Sequence, residues 1–315
     1  MKRNRTNYWV DTHAHLQLKA YDKANNRENL LRELFGFHFF KKGINRVKKV
    51  VNVAISFESN EQQLNMIEGC KYSNQLYMVC GIHPNFVGLD SDTDSEKIDV
   101  IKNKYIKHKK CVGIGETGLD YNRIRKKNSN GDIDFEYVEN MASRQAIWFR
   151  KCIELSIESK MPLVLHIRNS EDQISNLKDE KYSDAYKDAI EILREYFDES
   201  GSDEVRGVCH SFNGSKEQME EIIKLGFMIS FNGMFTRPEY DYLRSCVDAC
   251  PLEKMILETD SPYLSPYTLN GERTGKQNTP LSVPLIGQWV SEIKHVNIKE
   301  IQKITTENAT KLFSL

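Results

Sequence analysis

The sequence has seven cysteines, Cys70, Cys80, Cys111, Cys152, Cys209, Cys246 and Cys250, and no C-x-x-C among them. An odd count without that spacing argues against a disulfide framework and a zinc ribbon, and points to a reducing compartment. Neither sign of charge is in excess: 44 Lys and Arg face 45 Asp and Glu, a formal net charge of −1. That balance excludes a polybasic coat for nucleic acid and an acidic tail. No apolar run nears the ~20 residues that span a bilayer. The basic start Met1-Lys2-Arg3-Asn4-Arg5 runs directly into Tyr8-Trp9-Val10-Asp11, with no apolar segment of a secretory signal. These absences lead to the expectation of an intracellular chain, cytoplasmic or nuclear, without a membrane partner. A P-loop and a G-x-S-x-G elbow are missing too, which argues against phosphate-cradling and serine-nucleophile chemistries.

Core material is present: 39% of residues are hydrophobic and 10% aromatic. Eight short runs of strand character occur at 8–15, 48–56, 76–83, 111–116, 162–168, 205–211, 226–232 and 254–260. Most carry Val and Ile on both parities, as strands covered on both faces do. Amphipathic stretches at 60–72, 140–160, 184–197, 215–225 and 239–249 lie between them. Alternation of this kind implies a parallel sheet, and eight units in about 250 residues favour a (β/α)8 TIM barrel over an open doubly wound sheet. The expected organisation is one domain over 1–315, with two segments read as insertions. One is 19–42, containing a helix-like 28–40. The other, 122–134, carries Asn128-Ser129-Asn130-Gly131-Asp132 and reads as a polar surface loop.

Barrel active sites form at the C-terminal ends of the strands. The runs end on His13 and His15, Ser56, His83, Glu116, His166, His210, Asn232 and Asp260. One such histidine is unremarkable, but a set converging on one mouth is a metal centre. His13 and His15 share strand parity and face one side, with Asp11 on the same parity as an orienting carboxylate. Gly113-Ile114-Gly115-Glu116-Thr117-Gly118 matches G-x-G-x-x-G literally, yet a carboxylate sits in the turn and no helix follows, so no nucleotide cofactor is expected. Instead Gly113 and Gly115 are read as outward, admitting a helix to the barrel wall, and Glu116 as inward, where it can bridge two ions. His166 and Arg168 share a face and pair a ligand with a planar phosphate donor. Glu258 and Asp260 share a face of the eighth strand, with Asp260 at the mouth. His38, His108 and His295 are read as solvated or packed.

Six candidate ligands follow: His13, His15, Glu116, His166, His210 and Asp260. Six exceed the need of one tetrahedral ion and suit two divalent ions, Mg, Mn or Zn, with imidazole favouring Zn, Mn or Fe over Mg. Two ions ~3.5–4 Å apart suit in-line displacement at phosphorus. Asp260 is placed to take a proton from the attacking water and Arg168 to stabilise charge on phosphate. Tyr121, Phe212 and Tyr263 are candidate stacking surfaces for a terminal base, and Arg123, Arg125, Lys126 and Lys127 a candidate steering patch.

The ordered set Asp11-Thr12-His13-Ala14-His15, Gly81-Ile82-His83-Pro84, Gly115-Glu116-Thr117-Gly118-Leu119-Asp120-Tyr121, His166-Ile167-Arg168, His210-Ser211-Phe212-Asn213-Gly214 and Leu257-Glu258-Thr259-Asp260-Ser261-Pro262 resembles the TatD family of metal-dependent deoxyribonucleases, within the amidohydrolase-like barrels. The match runs from Val10 to the closing Thr306-Glu307-Asn308-Ala309-Thr310. The resemblance implies a two-metal phosphodiesterase, with 3′–5′ exonuclease activity on DNA at single strands or 3′ ends, and action at abasic sites as a further expectation; the chain is expected to be a monomer. It also implies that His83 contacts substrate or supports the site. The chain departs near its C-terminus, where Arg273 is separated from Asn278-Thr279-Pro280 and Thr stands in place of the family's Glu, so a substrate role for Arg273 rests on a stretched motif. Two rival readings stand beside this one. A hydrolase of an amide, lactone or small phosphoester could use the same scaffold, although many such barrels carry lysine where this one has Glu116. A non-catalytic binding relative is opposed by the presence of all six ligands.

Overall fold

The computed structural model describes residues 8–22, 26–36, 46–88, 94–124, 126, 130, 133–170, 182–197, 206–275 and 277–315. Its strands are β1 Trp9–Ala14, β2 Val47–Val53, β3 Leu76–Cys80, β4 Cys111–Asp120, β5 Leu163–Arg168, β6 Gly207–Cys209, β7 Phe227–Phe231 and β8 Met255–Leu257. The helices are α1 Asn26–Phe35, α2 Phe57–Glu68, α3 Asp94–Val100, α4 Phe135–Ser159, α5 Ala185–Arg194, α6 Lys216–Lys224, α7 Leu243–Ala249, α8 Val283–Lys294 and α9 Ile298–Phe313. The strands form one sheet in the order β1 to β8, the topology of a TIM barrel. Every residue of β1, β6, β7 and β8 is buried, which suits the largely apolar β6, β7 and β8, while β1 buries Asp11, Thr12 and His13 as well. Among the described residues, no helix is long and apolar enough to cross a membrane.

Two compact units divide the chain, one of 1–53, 61–78 and 228–315, the other of 54–60 and 79–227. In the first, β8 returns beside β1 through a parallel bridge of Ala14 with Ser261, and Thr306 of α9 donates to the Tyr8 carbonyl at 2.9 Å. Arg27 of α1 donates to the carbonyls of Leu16, Gln17 and Leu18, pinning the segment that follows His15. Buried Asn52 accepts the Leu16 N–H at 2.7 Å and donates to Gln17 and Gln63. In the second unit, Asp134 caps α4 and Ser215 with Gln218 forms a capping box on α6. A buried ion pair, Arg144 with Asp94 at 2.5 Å, ties α4 to α3.

Several sequence-based bounds change. The helix expected at 28–40 is α1, ending at Phe35, and it occupies the place of a first barrel helix; residues 37–45 lie outside the described residues, as do 125, 127–129 and 131–132 of the segment read as a loop. β4 continues four residues past Glu116. Gly115 and Gly118 permit this: at φ of 137° and 140°, a Cβ on either would meet a β5 carbonyl oxygen, that of Val164 at 2.4 Å or His166 at 2.2 Å. Gly115 therefore serves close strand approach, where a helix contact was expected. β8 stops at Leu257, so Glu258 and Asp260 do not share a strand face. Asp260 instead lies in the left-handed region at φ 52°, tethered by its N–H to the His13 carbonyl at 2.9 Å.

Candidate metal centre

In the first unit, His13, His15 and Asp260 converge. His13 Nε2 lies 3.3 Å from His15 Nε2, and Asp260 Oδ1 lies 3.1 Å from His15 Nε2 and 3.9 Å from His13 Nε2. Strand parity brings the imidazoles together, as expected for i and i+2. His15 Nδ1 is 2.9 Å from the Val53 carbonyl oxygen, which can only accept, so Nδ1 carries the proton. His15 Nε2 is thereby the nitrogen that faces the Asp260 carboxylate, at 3.1 Å, and imidazole with carboxylate is a suitable donor set for a divalent transition metal.

Asp11 does not orient an imidazole. Its Oδ2 contacts the Thr259 hydroxyl at 2.6 Å, and its Oδ1 accepts the N–H of Thr259 at 2.9 Å and of His13 at 3.3 Å. It thereby fixes the turn that carries Asp260 against β1. Complete burial pushes its carboxyl up to about 8 despite the Thr259 hydrogen bond. Glu258, also buried, accepts from Asn232 at 3.2 Å.

In the second unit, Glu116 Oε1 lies 2.8 Å from His166 Nδ1 and 2.7 Å from His210 Nε2, and those two nitrogens are 3.1 Å apart. Three ligand atoms thus meet around one point, again a set that fits a divalent ion. His83 stands 3.6 Å from the same Glu116 oxygen, but its role differs. Its Nδ1 accepts the Asn85 N–H at 3.0 Å, so the neutral ring carries its proton on Nε2. Burial, reinforced by nearby His166, lowers His83 to about 3 and keeps it neutral. His83 is therefore a hydrogen-bond donor beside Glu116. For His166, burial works against the charged form, yet hydrogen bonds to Asp120 and Glu116 outweigh it and raise its value.

Arg168 donates through Nε and Nη2 to the Asp120 carboxylate, both at 3.1 Å, with a third of its side chain exposed. Tyr121 and Phe212 are 2% exposed: Tyr121 donates to Asp188 at 2.7 Å and Phe212 packs edge-on against Tyr186. Neither ring offers a face to a base, which corrects the expectation for both. Tyr263 is 52% exposed, with its ring 6.1 Å from that of His15. Arg273 is exposed after β8, in a bridge with Tyr267. Arg123 and Lys126 are exposed; Arg125, Lys127 and His38 lie outside the described residues. His108 accepts the Lys110 N–H and His295 ends α8 in the left-handed region, as packed or capping residues do.

Sequence reasoning gave no role to Asp120, Asn85, Thr259 or Phe86. Asp120 was legible in principle, since Gly118 allows β4 to run on to it. Phe86, 54% exposed with its ring 6.3 Å from His83, was hidden in an ordinary-looking loop.

The family model described as TatD related DNase matches residues 10–314. A Bacillus subtilis protein named uncharacterized metal-dependent hydrolase YabD is 30% identical over 306 residues, 97% of this chain and 98% of its own. A Yersinia pseudotuberculosis protein named 3′-5′ ssDNA/RNA exonuclease TatD is 26% identical over 277 residues, covering 86% of this chain and 92% of that one. Among solved structures, the Escherichia coli TatD homologue YJJV superposes with a TM-score of 0.72 at 22% identity, covering 98% of both chains, a likeness of fold.

Proposed function

The chain belongs to the TatD-related DNase family of metal-dependent hydrolases, and from that premise we propose that it hydrolyses phosphodiester bonds of DNA, removing nucleotides from 3′ ends of single strands with two divalent ions. The relative named as a 3′-5′ ssDNA/RNA exonuclease supports the substrate class and polarity. The observation that carries the reading is the pair of donor sets, His13, His15 and Asp260 in one unit and Glu116, His166 and His210 in the other, each gathered around one point. Action at abasic sites is a further part of the proposal, resting on the family alone.

When bound, the ions supply Lewis-acid charge to the phosphoryl oxygens and acidity to the attacking water. The remaining work falls to side chains. Asp260, with 14% of its side chain exposed, accepts the proton that the attacking water loses. His83 offers Nε2–H as a neutral donor to an oxygen of the reacting phosphate. Arg168, locked in plane by Asp120, presents its remaining N–H donors to the same group. Tyr263 offers an exposed face on which the terminal base stacks, an interaction that tolerates any base.

The test is incubation of the purified chain with 3′-end-labelled single-stranded DNA and Mg, Mn or Zn, beside Glu116→Ala and Asp260→Ala. Release of the labelled 3′ nucleotide as a mononucleotide by the wild type alone is expected. Absence of cleavage with every ion, or full activity in both variants, defeats the proposal.

A further inference from the structure

Asp120 ends β4 fully buried, and its carboxylate is surrounded by donors. Oδ2 lies 2.8 Å from Asn85 Nδ2, 3.1 Å from His166 Nε2 and 3.1 Å from Arg168 Nη2. Oδ1 accepts from Arg168 Nε at 3.1 Å and from the backbone N–H groups of Asn122 at 3.1 Å and Arg123 at 3.3 Å. The residue's own N–H donates to Gln145 Oε1 of α4 at 2.9 Å, which fixes the strand end that aims it. An ionised carboxylate only accepts, and about four lone-pair sites meet six donors here. Facing it, His166 must hold a proton on Nε2, and its Nδ1 is thereby directed at Glu116 and His210. The same two oxygens take Arg168 side-on, a fork that sets the plane of the guanidinium.

We propose that Asp120 is a positioning residue that selects the tautomer of one ion ligand, His166, and the orientation of the phosphate-binding Arg168 together, so that ion binding and phosphate binding in this part of the centre depend on one carboxylate. This inference rests on the function proposed above for the assignment of His166 and Arg168. Exchange of the carboxylate for an amide removes one acceptor and turns an NH2 group toward donors. Losses of 10- to 100-fold in ion affinity are typical when the partner of a ligand histidine is removed.

Asp120→Asn tests it without requiring turnover. Chelator-stripped full-length protein is titrated with zinc chloride by calorimetry, and the zinc-loaded protein with thymidine 5′-monophosphate. Circular dichroism and the unfolding midpoint establish that the variant is folded. The expected variant binds one zinc ion as the wild type does, the other about 10- to 100-fold more weakly, and the nucleotide at least 10-fold more weakly. Arg168→Met separates the effects, losing nucleotide affinity while both zinc affinities stay within about 3-fold of wild type. Zinc and nucleotide affinities unchanged in Asp120→Asn overturn the inference. Should that variant not fold, histidine 15N spectra of zinc-loaded wild type decide: a proton retained on Nε2 of His166, assigned through His166→Gln, supports the inference, and a proton on Nδ1 refutes it. If the binding effects appear but no DNA is cut, the positioning role stands and the nuclease reading falls.

Discussion

Thr259→Val removes a contact that holds Asp260 in place, and with it the acceptor of the Ser261 N–H at 3.2 Å, a loss that does not vary with the charge of Asp11. The substitution keeps the shape of a fully buried side chain and removes the hydroxyl 2.6 Å from Asp11 Oδ2. Burial raises Asp11 from 3.8 to about 8, so below pH 8 the contact is between neutral groups and above it between a hydroxyl and a carboxylate. A neutral hydrogen bond contributes about 0.5–1.5 kcal/mol and a charged one about 1.5–3 kcal/mol. The Asp11 share of the Thr259→Val penalty should therefore rise from about 1 kcal/mol at pH 6 to about 2 kcal/mol at pH 9, above a constant share from the Ser261 N–H. At roughly 2 cal/mol/K per residue of unfolding entropy, 2 kcal/mol lowers the thermal midpoint by about 3 °C. The sign for wild type follows from linkage. Because the folded-state value lies above the unfolded one, the native chain holds the extra proton between pH 4 and 8, and its stability falls across that window as pH rises. The gap between the two values caps that loss at roughly 6 kcal/mol. Urea unfolding in chelator at pH 6, 7.5 and 9, for wild type, Thr259→Val and Asp11→Asn, is the assay. Asp11→Asn should flatten the fall. An equal Thr259→Val penalty at all three pH values, or an undiminished slope in Asp11→Asn, would mean that Asp11 does not carry the extra proton.

His83→Ala should lower kcat by about 100-fold, at the low end of the range for a lost hydrogen-bond donor to developing charge, with ion stoichiometry unchanged. Because His83 lies at about 3, no limb of the wild-type pH–rate profile between pH 5 and 9 should belong to it; a limb that vanishes in the variant would contradict its neutral role. Tyr263→Ala should raise KM for single-stranded DNA by 5- to 150-fold, corresponding to about 1–3 kcal/mol of stacking per base, and leave the unfolding midpoint unmoved. Phe212→Ala, at a ring 2% exposed, should instead cost about 3–5 kcal/mol in urea unfolding. Asp94→Ala removes the carboxylate that faces the buried Arg144 guanidinium and should cost a similar 3–5 kcal/mol by the same measurement.

The strand-end reading worked where the geometry is local. His13 and His15 meet because alternate residues of a strand face one way, a rule that needs no knowledge of the rest of the chain. The same rule failed at Glu258 and Asp260, where β8 ends early and a left-handed residue makes the turn. Asp120 was hidden because a strand interrupted by Gly115 and Gly118 reads as finished at Glu116; only contact with β5 shows that the glycines let the two strands close up. Tyr121 and Phe212 look like mouth aromatics because they follow strands, but α5 supplies Asp188 and Tyr186 to bury them. Burial of that kind is set by helix packing, which periodicity does not encode. The balanced net charge excluded a coating of phosphate contacts and left open a concentrated site, and the clustering of histidines and carboxylates fits the second case.

Native mass spectrometry of chelator-free protein titrated with zinc or manganese counts the ions that the two donor sets hold. Two ions should bind per wild-type chain, one in His13→Ala and one in His210→Ala. A single ion in the wild type at saturation, or two retained in both variants, would contradict that count.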